Sequence, residues 1–203
     1  METPVLSSQY GGARARPFIT HGHADHILGL DDVRPFNYRQ GSHIPMFVSA
    51  PTFEVIRRIF DYAFSEKPQP SAVPKLDVRI IDETPFDVLG LEFIPIPVIH
   101  GRMEVYGFRI GNVAYLTDHS ELPEASLAKL RGLDILFLDA LRHKPHPTHS
   151  TVAASIETAR LLGAKRTYFT HMCHDLPHAE TEASLPEGVH LAYDGLVLEA
   201  AHA

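Results

Sequence analysis

Residues 20–26 constrain this chain more than any other stretch, because they place three histidines and one aspartate within a few positions. The segment is Thr-His-Gly-His-Ala-Asp-His, and it follows a short apolar run at residues 17–19. Imidazole and carboxylate groups are ligands for divalent ions such as Zn²⁺, Mn²⁺ and Fe²⁺. The small residues Gly22 and Ala24 let the backbone turn tightly and direct several side chains to one point. The pattern therefore predicts a metal site directly after a strand.

Composition limits the class of protein and of partner. The 203 residues suffice for one domain with a sizeable core, and 44% hydrophobic with 21% charged residues is typical of a globular chain. The formal net charge is −7 with neutral histidines, which argues against a general polyanion-binding surface. We therefore do not expect a nucleic acid partner, whereas a local basic site for a small phosphate stays open.

The cysteine content and the hydropathy of the chain indicate its cellular compartment and whether it associates with membranes. Cys173 is the one cysteine, so the chain has no internal disulfide framework. The first residues lack a signal-peptide pattern, and no apolar run approaches the roughly 20 residues of a membrane span. These features predict a cytoplasmic protein that does not associate with membranes.

The order of predicted elements indicates an α/β fold. Residues 1–14 are polar and contain glycine, and we expect a poorly ordered lead-in there, followed by one domain over 15–203. Short strands fill residues 76–117, and strands alternate with helices from 123 onwards, as in sheets covered by helices. We predict a helix over 151–162, a loop over 31–37, and a hairpin over 190–199 that turns at Asp194-Gly195.

Three further ligand-type residues follow apolar strand-like runs. His100 comes after residues 93–99, Asp118 after 113–117, and His171 after 166–170. Taken singly, each has a simpler explanation: a turn histidine, a turn-capping aspartate or a satisfied core histidine. Their shared position at predicted strand ends favours a common metal site.

Together these motifs resemble the metallo-β-lactamase superfamily, whose signature is a strand ending in T-H-x-H-x-D-H. The resemblance implies an αββα metallo-β-lactamase sandwich with a one- or two-metal site at one edge. Compared with that family the chain is expected to be N-terminally shortened, since strands that usually precede the motif have no match here. An uncovered strand edge invites pairing, so a homodimer in which a partner chain supplies that edge is expected.

The resemblance also implies a ligand set for two divalent ions. His21, His23 and His100 would hold one ion, Asp25, His26 and His171 the other, and Asp118 would bridge them. All-nitrogen and oxygen ligation suits Zn²⁺ or Mn²⁺, and Fe²⁺ is also compatible. A water activated between the ions would be the nucleophile, and Asp25 is counted among the catalytic residues as well.

Residues 29–36, 141–150 and 170–174 resemble the phosphodiesterase branch around the phosphoribosyl cyclic phosphate phosphodiesterase. The resemblance implies a small-molecule phosphodiester substrate, with His149 contacting the phosphate and acting as general acid. His174 would sit beside the site as a substrate-binding residue. Asp139 would either orient a ligand histidine or cap a turn. We expect His143 and His146 to be solvated loop residues.

Two other functions stay open on the sequence alone. A thioester or other ester hydrolase of the same superfamily would use the same ligands. A truncated, inactive relative would bind metal without turnover. RNA processing is disfavoured by the net charge and by the lack of a basic, aromatic-interleaved patch.

Overall fold

The computed structural model describes residues 15–67 and 70–200, and the expected lead-in at 1–14 lies outside them. The chain divides into two compact units, Met1–Asp82 (unit 1) and Glu83–Ala203 (unit 2). The α-helices of the described residues are α1 Ala24–Ile27, α2 Arg34–Gln40, α3 Ala50–Ile59, α4 Glu124–Lys129, α5 Val152–Leu162 and α6 His178–Ser184. The strands are β1 Phe18–Ile19, β2 Ile44–Ser49, β3 Leu76–Ile81, β4 Phe86–Val88, β5 Leu91–His100, β6 Met103–Ile110, β7 Val113–Leu116, β8 Ile135–Asp139, β9 Arg166–Thr170 and β10 Val189–Leu191.

Unit 1 is built on a parallel sheet with the order β1-β2-β3. Alternate residues of β2, namely Ile44, Met46 and Val48, are fully buried, as the two-residue period of a strand with one core face requires. The next helix, α3, starts where the Ser49 side chain accepts a hydrogen bond from the Thr52 backbone N–H. It contributes Ile56 to the same core.

Unit 2 is built on a seven-stranded sheet with the order β10-β9-β8-β7-β6-β5-β4. The pairs from β4 to β7 are antiparallel, and those from β7 to β10 are parallel. One face of this sheet forms the core with α5, whose Val152, Ala159 and Leu162 are buried and whose Ile156 packs against the same cluster. The predicted α5 is confirmed because its end signals are local: Thr151 caps its start, and Gly163 ends it with φ +66°.

Two predicted segments are wrong. The loop expected at 31–37 contains the end of a 3₁₀ helix and the start of α2, because Pro35 lies in the first helical turn, where a missing N–H costs nothing. The hairpin expected at 190–199 does not form in the described residues. β10 pairs in parallel with β9, and the Leu191 N–H donates to Glu182 Oε2.

Within the described ranges, no helix is both long enough and apolar enough to cross a membrane. The mixed α/β architecture predicted from the sequence, with sheets flanked by helices, is confirmed.

Candidate metal centre

The histidine-rich motif of unit 1 occupies the turn between β1 and α1. His21 is 2% exposed, and its Nε2 lies 2.9 Å from Nδ1 of His23. The His21 and His26 rings are 4.2 Å apart between centroids, and Asp25 Oδ2 lies 3.4 Å from His26 Nε2. Four ligand-type side chains are thus gathered by one short turn, as the sequence predicts.

Close packing under this turn explains its glycine. A Cβ added to Gly22 would lie 2.9 Å from Cγ1 of Val55 on α3, closer than such atoms approach. His23 is the N-cap of α1, with extended backbone at φ −70° and ψ 151°. The chain therefore changes from strand to helix within the motif, which turns His26 back towards His21.

In unit 2, His100 ends β5 with a fixed orientation. Its side chain is buried, and Nδ1 donates a hydrogen bond to the carbonyl oxygen of Thr148 at 2.7 Å. A carbonyl can only accept, so the ring proton is on Nδ1 and Nε2 is left with its lone pair. A second partner that fixes the tautomer in this way is characteristic of metal-binding histidines.

Asp118 lies between two imidazoles and faces each with a different oxygen. Its Oδ2 is 3.7 Å from His100 Nε2, and its Oδ1 is 3.1 Å from His171 Nε2. Thr117 Oγ1 donates to Oδ1 at 2.6 Å, and the Asp118 residue is 1% exposed. This is the arrangement expected of a carboxylate that spans two ions.

Backbone conformation contributes to this geometry. Asp118 and His171 have φ values of +59° and +56°, in the left-handed region that non-glycine residues seldom occupy. Such conformations persist only where the surrounding structure enforces them, and they are concentrated at functional sites. The two residues follow β7 and β9, so the left-handed turn redirects each side chain as its strand ends.

Asp118 also changes the protonation of His171. Burial alone would lower the pKa of His171, but the hydrogen bond and negative charge of Asp118 raise it to about 9. The chain without metal therefore holds an imidazolium against a carboxylate. A divalent ion would replace that proton, as metal binding to histidine generally requires.

His149 lies among the same imidazoles. Its ring centroid is 4.7 Å from that of His100 and 4.9 Å from that of His171, and its side chain is 12% exposed. Asp118, His149 and His171 each offer a ligand-type atom, and these atoms lie within 4.8 Å of one another. The position suits either a general acid or an additional ligand.

Asp139, at the end of β8, has no solvent exposure; it hydrogen-bonds His119 and lies close to His149. Its Oδ1 accepts from the His119 backbone N–H at 2.9 Å and contacts His119 Nδ1, and its Oδ2 is 3.6 Å from His149 Nδ1. Burial raises the pKa of Asp139, but its hydrogen bonds from His119 and the nearby imidazole of His149 together lower it. The histidine that Asp139 hydrogen-bonds, His119, is thus outside the predicted ligand set.

His119 was missed by sequence reasoning. It is buried against Asp139, and the one signal for it was its position directly after Asp118.

The other histidines of this region differ in their solvent exposure and contacts. His174 is 96% exposed beside Asp175 at 3.4 Å and does not join the group formed by Asp118, His149 and His171. His143 is exposed as expected, whereas His146 is half-buried and packs against His149, contrary to the expectation of a solvated residue.

The donor set in unit 2 fits a divalent cation. A buried carboxylate faces two imidazoles, and each imidazole presents Nε2 to one of its oxygens. No thiolate joins them within the described residues, since Cys173 Sγ instead accepts from the Asp175 backbone N–H. Nitrogen and oxygen donors of this kind suit Zn²⁺, Mn²⁺ or Fe²⁺.

Comparison with known proteins places this arrangement among metal-dependent hydrolases. A family model described as a β-lactamase superfamily domain matches residues 18–172. A crystal structure of a diphosphatase from the PhnP family has 50% identity and a TM-score of 0.84, covering 92% of this chain and 71% of that one. Zn²⁺-bound PqqB from Methylobacterium extorquens has 20% identity and a TM-score of 0.70, covering 94% and 76%, and shows likeness of fold alone.

One curated relative carries a different name. An octanoyltransferase from Porphyromonas gingivalis is 31% identical over 180 residues, which is 88% of this chain. The chain spans only 36% of the length of that relative.

Proposed function

The chain belongs to the β-lactamase superfamily and has the fold of its metal-dependent hydrolases, and we propose that it hydrolyses a small or cyclic phosphodiester with two divalent ions. The observation that carries the proposal is Asp118, whose two oxygens face His100 and His171 separately. A carboxylate in that position is suited to span two ions. Zn²⁺ and Mn²⁺ are the proposed ions, with Fe²⁺ also compatible.

The remaining ligands follow from the family resemblance. His21, His23 and His100 would hold one ion and Asp25, His26 and His171 the other. When bound, ions of this kind neutralise a phosphodiester and make water a nucleophile near neutral pH. The protein itself binds a small-molecule phosphodiester. The cytoplasmic location and the homodimer stay predictions of the sequence.

His149 is the proposed general acid. Negative charge grows on the leaving oxygen as the P–O bond breaks, and a proton from His149 Nε2 would neutralise it. Asp139 Oδ2 lies 3.6 Å from the opposite ring nitrogen, Nδ1, so the carboxylate favours the ring orientation that turns Nε2 away from it. A residue already oriented in the free protein loses little entropy when substrate binds.

A second candidate reaction is the hydrolysis of a diphosphate. The structure that shares 50% identity with this chain is described as a diphosphatase of the PhnP family. A phosphoanhydride and a phosphodiester present the same phosphoryl centre, so one set of residues is able to act on both. Hydrolysis of a thioester or another ester is the remaining alternative, because it needs the same ligands.

Metal content and substrate choice test the proposal together. Metal is measured by mass spectrometry, and turnover of bis-p-nitrophenyl phosphate, a cyclic nucleotide, a nucleoside diphosphate and an octanoyl thioester is measured before and after chelation. We expect about two ions per chain. Phosphoryl-substrate turnover should be lost on chelation and regained with Mn²⁺ or Zn²⁺. Turnover of the thioester alone would refute the phosphodiesterase assignment.

The substitution His149→Ala tests the general acid. We expect the variant to keep its metal and to lose turnover by a factor on the order of 10²–10⁴, the usual contribution of proton transfer. His143→Ala is the matched control, since His143 is exposed in the same loop. A fall in metal content would make His149 a ligand, and unchanged turnover would make it a bystander.

A further inference from the structure

The loop formed by residues 142–149, here called the basic loop, concentrates positive charge in an acidic chain. It contains Arg142, Lys144 and three histidines, whereas the chain carries a formal net charge of −7. The loop joins the end of the β8 region to α5. Its composition would favour an anionic group bound beside it.

Hydrogen bonds within the basic loop and contacts with the end of β5 hold the loop in one conformation. The Arg142 guanidinium donates to the carbonyl oxygens of Lys144 at 3.2 Å and Pro145 at 2.9 Å. At the other end, the Thr148 carbonyl accepts from His100 Nδ1. A Cβ at Gly101 would come within 2.6 Å of Thr148 Cγ2, so the loop packs tightly on the turn after β5.

His146 is positioned within this loop with a defined tautomer. Proline stands on both sides of it, at Pro145 and Pro147, and its ring centroid is 5.0 Å from that of His149. The Thr148 backbone N–H donates to its Nδ1 at 3.3 Å. Because a backbone N–H can only donate, Nδ1 is the acceptor and the proton of the neutral ring is on Nε2.

The Nε2–H group of His146 is available to a ligand. In the part of the chain that the structure describes, no residue hydrogen-bonds to that atom. Burial, His149 and the charge of Arg142 all lower the pKa of His146. A neutral imidazole with Nδ1 already occupied offers one donor, and Arg142 adds a positive field favourable to an anion.

We propose that His146 determines specificity by donating a hydrogen bond from Nε2 to a second phosphoryl group on the leaving side of the substrate. The inference rests on the proposed function, in which His149 protonates the leaving oxygen, because His146 packs directly against His149. Within the proposed function this favours the second candidate reaction, with a diphosphate ester as the preferred substrate. Water adds to one phosphorus, the bond to the bridging oxygen breaks, and that oxygen takes the proton from His149 and leaves within the second phosphate.

Binding measurements test this without turnover. Isothermal titration of the metal-loaded protein compares adenosine 5′-(α,β-methylene)diphosphate, which is not hydrolysed at the P–C–P bridge, with adenosine 5′-monophosphate. We expect the wild type to bind the diphosphate analogue more tightly. His146→Ala should weaken that binding about tenfold, as expected for one hydrogen bond to a charged group, and change monophosphate binding less than about twofold.

Matched variants separate recognition from structure. His146→Gln keeps an N–H donor and should retain most of the preference, and His143→Ala in the same loop should match the wild type. Equal weakening for both nucleotides, loss of metal from His146→Ala, or no preference in the wild type would each overturn the proposal. A protein that binds the analogue through His146 yet turns over no phosphoryl substrate would instead refute the proposed function and leave the binding assignment intact.

Discussion

The two units supply ligand-type residues in opposite ways. In unit 1 they come from one turn, residues 21–26, between β1 and α1. In unit 2 they come from His100, Asp118 and His171, which lie at the ends of three different strands. Neighbouring residues of a turn need only a local bend to meet. Residues far apart in the chain meet only if the sheet has the right order and direction.

The strand directions in unit 2 explain why His100, Asp118 and His171 lie close together. β7, β8 and β9 are parallel neighbours, so Asp118, Asp139 and His171 are at one edge of the sheet. β5 is antiparallel to β6, and β6 is antiparallel to β7, so β5 and β7 run in the same direction. His100 therefore arrives at that edge too. The ends of parallel strands are a common location for functional sites in α/β folds.

The largest expected effect comes from removing one ligand-type residue from each unit. Asp118→Ala deprives two imidazoles of their shared carboxylate, and we expect it to lose nearly all bound metal. His23→Ala would remove one ligand of one ion and should retain about one ion per chain. Turnover of Asp118→Ala should fall by more than the roughly 10–100-fold typical of an outer-shell partner.

Metal content by mass spectrometry and turnover of bis-p-nitrophenyl phosphate provide the measurements. The control is His174→Ala, a change at a side chain that is 96% exposed. If Asp118→Ala and His23→Ala kept the same number of ions, Asp118 would not be a bridging ligand. The expected difference in metal loss between the unit 1 and unit 2 variants would then be refuted.

Glycine substitutions next to the histidines should have the next largest effect. Gly22→Ala would place a Cβ 2.9 Å from Val55 Cγ1, and Gly101→Ala would place one 2.6 Å from Thr148 Cγ2. Overpacking of this kind typically costs about 1–3 kcal/mol of unfolding free energy. Gly101 also has φ +64°, which adds about 1–2 kcal/mol for a residue with a side chain.

Double substitutions distinguish overpacking from backbone strain as the cause of the lost stability. Val55→Ala should relieve most of the cost of Gly22→Ala, whereas Thr148→Ser should relieve only part of the cost of Gly101→Ala, because the backbone strain remains. Urea unfolding of the single and double variants gives the coupling energies. Complete recovery in the Thr148→Ser pair would contradict the role of the left-handed backbone.

The smallest effect concerns pH and lies away from the metal-site residues. Burial raises the pKa of Glu182, but the hydrogen bonds from the Leu191 backbone N–H and from His190 lower it below 4.5. A depressed pKa stabilises the fold above the unfolded value, and that contribution is lost as pH falls through the folded value. The stability difference between wild type and Glu182→Gln should therefore shrink as pH falls below about 4.5.

In unit 1, Tyr62 has a raised pKa, in contrast to the lowered pKa of Glu182 in unit 2. Burial and the hydrogen bond to Asp31 at 2.7 Å raise the pKa of Tyr62 from 10.0 to about 12. A raised pKa stabilises the fold below the unfolded value, and that contribution is lost as pH rises through the folded value. Thermal unfolding of Tyr62→Phe should thus differ from wild type at about pH 8 and converge with it towards about pH 12. A difference that persisted at high pH would mean that packing, not the ionisable hydroxyl, is responsible.

Local chemistry explains which elements were predictable. The ends of α5 are marked by Thr151 and Gly163, whose effects depend on neighbouring backbone groups. The segment around Pro35 was mistaken for a loop because proline both breaks helices and begins them. The segment after β10 was mistaken for a hairpin because Asp194-Gly195 indicates a turn but does not specify the conformation of the residues after the turn.

The sequence by itself determined the ligand types, the order of the motifs and the turn of unit 1, since these depend on residues that are adjacent in the chain. Only the tertiary structure decided that Asp118 and His171 take left-handed backbone, that Asp139 binds His119 and lies close to His149, and that His146 packs beside the proposed acid. Those features depend on strand direction and on contacts between distant segments. A one-dimensional pattern of residue types does not specify such contacts, because each of these side chains has an ordinary structural use elsewhere in proteins.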